Sequence, residues 1–426
     1  MENKPTITVI SQVGVSGYIP TGGVLRSIRS LTEYAKYFNV HLIIPPYYKF
    51  NSTTLQGLKI NLGVDEVNHL DTKLRPILNN ERLAFVYPLI PSKILGLVLK
   101  GLEKREVRPN AVVVLNETLD CLRIGCLIKD RFNIPSLALI QLPIFYYDRK
   151  RLRNIKKVFD VWFEEVYEGE VLGKFVREFR NSLEIMIRHS TFVEKILQNY
   201  DVLVAVSKAV ALEMGSKWRS KFHVLDPGVA LDEEDLKLIS EVRRKIKEKE
   251  DYIVFGGRVD PLKGFIEALY VFKELVRSYP SLKLVITGHI DEKLMFRTKK
   301  LIKRLGLDGR VILSGLISRP ERFEILAKAR LTLYPSHVDS FSYAVLESLH
   351  LGSPVVAYDI PALRIYYGNC PGIKLVDESD VESLIIESLN MLKAKDVEVK
   401  PPKLKSWKEI MVEEIEIINK LVREAI

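Results

Sequence analysis

Cysteine is scarce: 426 residues hold three, Cys121, Cys126 and Cys370. An odd number with no zinc spacing excludes a disulfide scaffold and a zinc cluster and fits a reducing compartment. No stretch of about 18 apolar residues occurs, which excludes a membrane-spanning helix. Met1-Glu2-Asn3-Lys4-Pro5 runs straight into the strand-like Thr6–Ser11 without a signal-peptide layout, so the expected compartment is cytoplasmic. Seven histidines show neither zinc nor metalloprotease spacing. The sequence has no Asp-x-Asp pair for a metal on a diphosphate, no Gly-x-Ser-x-Gly elbow and no Walker loop. No metal and no cofactor is expected.

What is present is a globular chain with 47% hydrophobic residues and a net charge of +10. Its length exceeds one ordinary core, so at least two domains are expected. The charge suits nucleic acid, an anionic membrane surface or phosphorylated substrates, and solubility alone also explains it. Apolar runs alternate with amphipathic stretches. Strands are predicted at Thr6–Ser11, Val40–Pro45, Ala84–Pro88, Ala111–Leu115, Ser136–Gln141, Val202–Ser207 and His223–Asp226. In the second half they fall at Tyr252–Phe255, Lys283–Thr287, Val311–Gly315, Leu331–Tyr334 and Val355–Ala357. Continuous Val, Ile and Leu suit parallel sheets covered on both faces.

The stretch Thr332–Asp359 is the most informative. Pro335-Ser336 ends a strand, a helix is predicted from about Ser340 to Leu351, and Gly352 stops it. Asp339 stands at the helix start and Glu347 two turns in, roughly 12 Å along the axis. Free amides at a helix start favour an anion. Carboxylate, amides and carboxylate match the layout of a nucleotide-sugar; a cap at Asp339 and a solvated Glu347 are the alternative. Upstream, Gly256-Gly257-Arg258-Val259-Asp260-Pro261-Leu262-Lys263-Gly264 places two cations beside glycines at another helix start. Arg grips oxygens bidentately and Lys adds a point charge, which suits a diphosphate, although two surface cations in a loop would read the same.

Pro335-Ser336, Phe341, Glu347, Gly352, Pro354 and Val355 lie at the spacing of the retaining glycosyltransferases of family 4, the glycosyl transferases group 1, which this chain resembles. Asp339, Ser342 and Ser348 stand where that pattern has Glu, Gly and Ala. Gly257-Arg258 with Lys263-Gly264 resembles the family's Gly-Arg-x4-Lys-Gly. Gly315 closes a strand before the loop that resembles its base-binding loop, and Gly22-Gly23 resembles its N-terminal Gly-Gly loop. The resemblance implies a GT-B fold: two Rossmann-like, doubly wound parallel-sheet domains facing a cleft. The expected boundaries are 1–228 for an acceptor-side domain, 229–405 for a nucleotide-sugar domain, and 406–426 for a helix crossing back to the first.

The resemblance also implies retaining transfer of a sugar from a nucleoside-diphosphate sugar to the hydroxyl of a glycan or lipid-linked acceptor. Arg258, Lys263 and Asp339 would be catalytic. Gly22, Gly23, Gly257, Gly315, Ser340, Phe341, Ser342 and Glu347 would bind the donor. Gln141 stands where the family often has an acceptor-side His. The alternatives are a GT-B nucleotide-sugar-binding protein without catalysis, or an epimerase or phosphorylase of the fold.

Arg149–Lys157 is basic at six of nine positions, with Tyr146, Tyr147, Phe159 and Trp162 nearby. It reads either as a contact with an anionic membrane, giving peripheral attachment at the inner face, or as a solvated helix face. No nucleic-acid module accompanies it, and no nucleic-acid partner is expected.

Overall fold

A computed structural model of the protein describes residues 4–12, 22–45, 52–69, 81–95, 108–168, 170–288, 290, 292–394 and 396–423. The chain divides into two compact units. The first is Met1–Tyr146, Asn181–Val229 and Lys408–Ile426; the second is Tyr147–Arg180 and Ala230–Trp407. Tyr147–Arg180 thus lies in the second unit although it falls inside the 1–228 span.

The first unit is built on a seven-stranded sheet among the described residues. Its strands are β1 (Thr6–Ile10), β2 (Asn39–Ile44), β3 (Glu66–His69), β4 (Ala111–Val114), β5 (Ser136–Ile140), β6 (Val202–Ala205) and β7 (Phe222–Val224). The order is β3-β2-β1-β4-β5-β6-β7, and every pairing is parallel. β4 and β5 are buried along their whole length, as unbroken apolar runs require when both faces are covered.

Among the described residues the second unit has a six-stranded sheet: β8 (Glu250–Phe255), β9 (Lys283–Thr287), β10 (Val311–Gly315), β11 (Ala329–Tyr334), β12 (Val355–Tyr358) and β13 (Ile373–Val376). The order is β10-β9-β8-β11-β12-β13, again all parallel. The helix Arg149–Val166 belongs here, and its Trp162 meets Phe265 edge-on at 6.3 Å.

The structure departs from the sequence expectations at several places. Ala84–Pro88 is not a strand but part of a 3-10 helix, Glu81–Leu89. A short apolar run does not separate the two by period, and Pro88 has no N–H to give a ladder. β3 and β13 were not expected; both are edge strands of mixed polarity, with weaker apolar signals than the core strands. The helix expected from Ser340 begins at Tyr343, because Asp339 takes up the amides of Ser340 and Phe341 and Ser342 caps the helix by accepting from the Val345 amide.

The stripe expected to be buried on the helix Gly22–Tyr37 was Val24, Ile28, Leu31, Ala35 and Phe38. The buried residues of the helix are instead Arg26, Ser27, Ser30, Leu31 and Tyr34, with Phe38 buried just beyond it. Polar side chains face inward there because they have a partner. Arg26 and Tyr34 both bond Glu414 of the terminal helix Trp407–Arg423. Of the glycine-rich turn before this helix, residues 13–21 lie outside the described residues; Gly22 and Gly23 begin the helix.

Candidate functional site

In the second unit the sheet order reverses between β8 and β11: β9 and β10 run outward on one side, β12 and β13 on the other. The connections that leave the two central strands then run to opposite sides of the sheet, the position at which open α/β sheets take ligands. The predicted site residues converge on this point. Gly256-Gly257 leaves β8, and a side chain at Gly257 would meet Lys263 Cβ at 2.8 Å and Phe255 Cζ at 2.9 Å. Gly264 has φ +69, and a Cβ there would lie 1.9 Å from the Pro335 carbonyl oxygen. Only glycine permits that approach, which carries Lys263 to the loop after β11.

Lys263 Nζ donates to Asp339 Oδ2 at 3.0 Å and to the Val338 carbonyl at 2.9 Å. Tyr334 also bonds Asp339 Oδ2, while Asp339 Oδ1 accepts from the amides of Ser340 (2.9 Å) and Phe341 (3.3 Å). The ion pair is mostly buried, with 20% of the Lys263 side chain and 12% of the Asp339 side chain exposed. Burial alone would lower the Lys263 pKa, but the Asp339 charge outweighs it and raises it. Burial likewise works against the Asp339 carboxylate, and the Lys263 charge with its hydrogen bonds holds the pKa below the usual range. Burial and then the Asp339 charge push the Tyr334 hydroxyl up to about 12. Arg258 is half exposed beside Asp260, and its charge is felt at Lys263.

Ser342 has φ +81, a left-handed conformation that favours glycine, which explains why the resembled motif has Gly there. Its hydroxyl accepts from the Val345 amide at 3.3 Å and caps the helix Tyr343–His350. Glu347 on that helix is buried, and two arginines of the helix Arg319–Lys328 hold it. Arg319 Nη2 reaches Oε1 at 3.2 Å and Arg322 Nε reaches Oε2 at 2.9 Å. Gly315 ends β10 with φ +66.

Residues 239–397, most of the second unit, match the family model "Glycosyl transferases group 1". The chain carries a glycosyl transferases group 1 domain. Curated relatives are distant and partial. D-inositol 3-phosphate glycosyltransferase of Segniliparus rotundus is 26% identical over 41% of this chain and 40% of its own length. Poly(glycerol-phosphate) alpha-glucosyltransferase of Bacillus subtilis is 33% identical over 25% of this chain and 15% of its own length. The chain therefore spans less than half of these relatives. Among solved structures, sucrose-phosphate synthase of Thermosynechococcus elongatus aligns over 99% of this chain and all of its own with a TM-score of 0.65 at 16% identity. Anabaena HepE in complex with UDP and glucose aligns over 97% of this chain and 99% of its own with a TM-score of 0.61 at 14% identity. The two doubly wound parallel sheets have the fold class of these GT-B proteins.

Within the glycosyl transferases group 1 domain, sequence reasoning missed three side chains that touch the site. Arg319 and Arg322 are two; an arginine three residues from another on one helix face was the available signal. The third is His337, fully buried, with Nε2 2.8 Å from Glu267 and Nδ1 2.9 Å from Glu378. Burial alone would lower its pKa, but the two carboxylates outweigh it and raise it above the ordinary histidine value. Glu378 also receives Arg151 and Asn154 Nδ2, and Arg151 Nη2 donates to the His337 carbonyl at 2.7 Å. Arg151 is therefore a structural member of the second unit and not part of a solvated basic face.

In the first unit Gln141 is buried near the carboxyl end of β5. Its Nε2 donates to Ser27 Oγ at 2.9 Å and to the Leu115 carbonyl at 2.6 Å. A Cβ at Gly23 would lie 3.1 Å from Gln141 Oε1, so these two expected residues are neighbours.

Proposed function

We propose that this protein is a retaining glycosyltransferase that moves a sugar from a nucleoside-diphosphate sugar to an acceptor hydroxyl. The observation that carries this reading is the Lys263–Asp339 pair, seated in a glycosyl transferases group 1 domain where the sheet order reverses. In this reading Lys263, with Arg258, holds the donor diphosphate and neutralises the charge that develops as it leaves. Asp339 takes the sugar hydroxyls, and the amides of Ser340 and Phe341 orient its carboxylate. Gly257 and Gly315 let the backbone approach the donor, and Glu347 takes the ribose. Gly22 and Gly23 are assigned to the donor, and Gln141 to the acceptor. The donor is a substrate, and neither metal nor cofactor takes part in the reading.

The acceptor is a glycan or lipid-linked saccharide, or another anionic polyol. The net charge of +10 suits an anionic acceptor. Two relatives are named for D-inositol 3-phosphate and poly(glycerol-phosphate). The test is thermal unfolding with UDP, GDP and ADP and their sugar conjugates. A ligand at about 100 times its dissociation constant adds roughly 2.7 kcal/mol. Lys263→Ala should remain folded and lose most turnover; an unaltered rate would remove Lys263 from the mechanism. Products separate the other readings: an altered sugar without acceptor means an epimerase, phosphate as co-substrate a phosphorylase, and binding without turnover a non-catalytic protein.

We also propose that the protein acts in the cytoplasm, in peripheral contact with an anionic membrane. No helix of the described residues is long and apolar enough to cross one. Arg149, Lys150, Arg153, Lys156 and Lys157 are exposed, and the nearby helix Val171–Arg188 exposes Val171, Leu172, Phe175, Val176 and Phe179. Cations beside exposed apolar side chains suit an anionic interface. Co-sedimentation with phosphatidylglycerol vesicles, lost in neutral vesicles and in Phe175→Ser/Phe179→Ser, would support this. Equal recovery without vesicles would exclude it.

A further inference from the structure

We infer that Arg322 is a specificity-determining residue that, together with Glu347, reads the 2′-hydroxyl of the nucleotide. The inference rests on the assignment of Glu347 to the ribose. A carboxylate offers about four lone-pair sites. Arg319 and Arg322 occupy one on each oxygen, at 3.2 and 2.9 Å. The remaining sites accept the two vicinal hydroxyls of a ribose. Each such hydroxyl, once it donates to Glu347, turns an unused oxygen lone pair outward.

Arg322 is placed to fill that lone pair. It is anchored at two points, Nε on Glu347 Oε2 and Nη1 on Thr287 Oγ1 at 2.7 Å. Thr287 ends β9, in register with Gly315 at the end of β10. The guanidinium therefore bridges the strand end and the Glu347 helix in a fixed plane. Five N–H groups belong to a guanidinium, and these two anchors leave the outer edge available on a side chain that is 22% exposed. A hydroxyl at this place finds an acceptor in Glu347 and a donor in Arg322 together. A deoxy sugar leaves one acceptor site of Glu347 and the outer edge of Arg322 unfilled in a partly desolvated site, which is how strong hydroxyl discrimination arises. Lysine would keep the charge but not the planar fork.

The experiment is titration of the folded full chain with UDP, GDP and ADP and with their 2′-deoxy counterparts. Wild type should bind its preferred ribonucleotide at least about 10-fold tighter than the deoxy form. Arg322→Gln and Arg322→Lys should both bring that ratio to within about threefold, chiefly by weakening the ribonucleotide. Thr287→Val, which frees the anchor without touching Arg322 or Glu347, should reduce it in part. If the Arg322 variants keep the full ratio while Glu347→Gln loses it, the reading belongs to Glu347 alone and the inference fails. If wild type binds a nucleotide with no ribose preference, the inference fails as well. If wild type binds no nucleotide at all, the donor-site assignment beneath it fails, which is a separate outcome. Thermal unfolding of each variant excludes misfolding as the cause, and Thr287→Val carries the test if both Arg322 variants unfold.

Discussion

At Asp339 one carboxylate serves Lys263, Tyr334 and two backbone amides. Its lowered pKa contributes stability above the usual aspartate range, and this stability is lost as pH falls through the folded value. Lys263→Ala should therefore start acid unfolding at higher pH than wild type, measured by ellipticity against pH. Ser342 has a different physics: its φ of +81 is strained for serine, while its hydroxyl caps the helix. Ser342→Ala keeps the strain and loses the cap, a cost of about 1 kcal/mol. Ser342→Gly relieves strain of order 1 kcal/mol and loses only a few tenths as a cap, so it should be more stable than wild type. Denaturant midpoints of the two variants decide this. The motif spacing located both residues; the strain became visible only in the backbone.

Elements of the second unit meet at the loop after β11. Gly264 lies against Pro335, and the His337 ring joins the first turn of the helix Phe265–Ser278 to the segment after β13. Gly264→Ala combines a positive φ with a backbone clash and should cost on the order of 2 kcal/mol or more in unfolding free energy. The raised pKa of His337 contributes stability that is full below the ordinary histidine value and fades as pH rises through the folded one. Glu378 acts in the opposite direction. Burial opposes its charge, but His337 and Arg151 hold its pKa down at about 2, so its contribution is lost only in strong acid. Thermal midpoints should therefore fall as pH rises from neutrality, and His337→Phe should flatten this alkaline limb. A wild-type midpoint that stays level there would refute the assignment. None of these couplings was legible in sequence. Glu267, His337 and Glu378 are far apart along the chain, and no local pattern pairs them.

The whole molecule returns its terminal helix to the first unit, where Glu414 neutralises the fully buried Arg26. Glu414→Ala leaves a buried guanidinium without its carboxylate and should cost about 3–5 kcal/mol, read as a drop in the unfolding midpoint. Apolar periodicity alone put Val24 and Ile28 on the inner face of the first helix; the ion pair put Arg26 there instead. By itself the sequence determined the alternating strands and helices, the doubly wound class and the positions of Lys263, Asp339 and Glu347. Hydrophobic runs, glycines and motif spacing are local properties that survive without a fold. Tertiary structure alone decided the edge strands β3 and β13, the arginines on Glu347 and the buried His337 and Arg26 clusters. Each depends on charges or strand edges brought together from distant parts of the chain, and the cost of burying a charge is set by its partner, not by its neighbours in sequence.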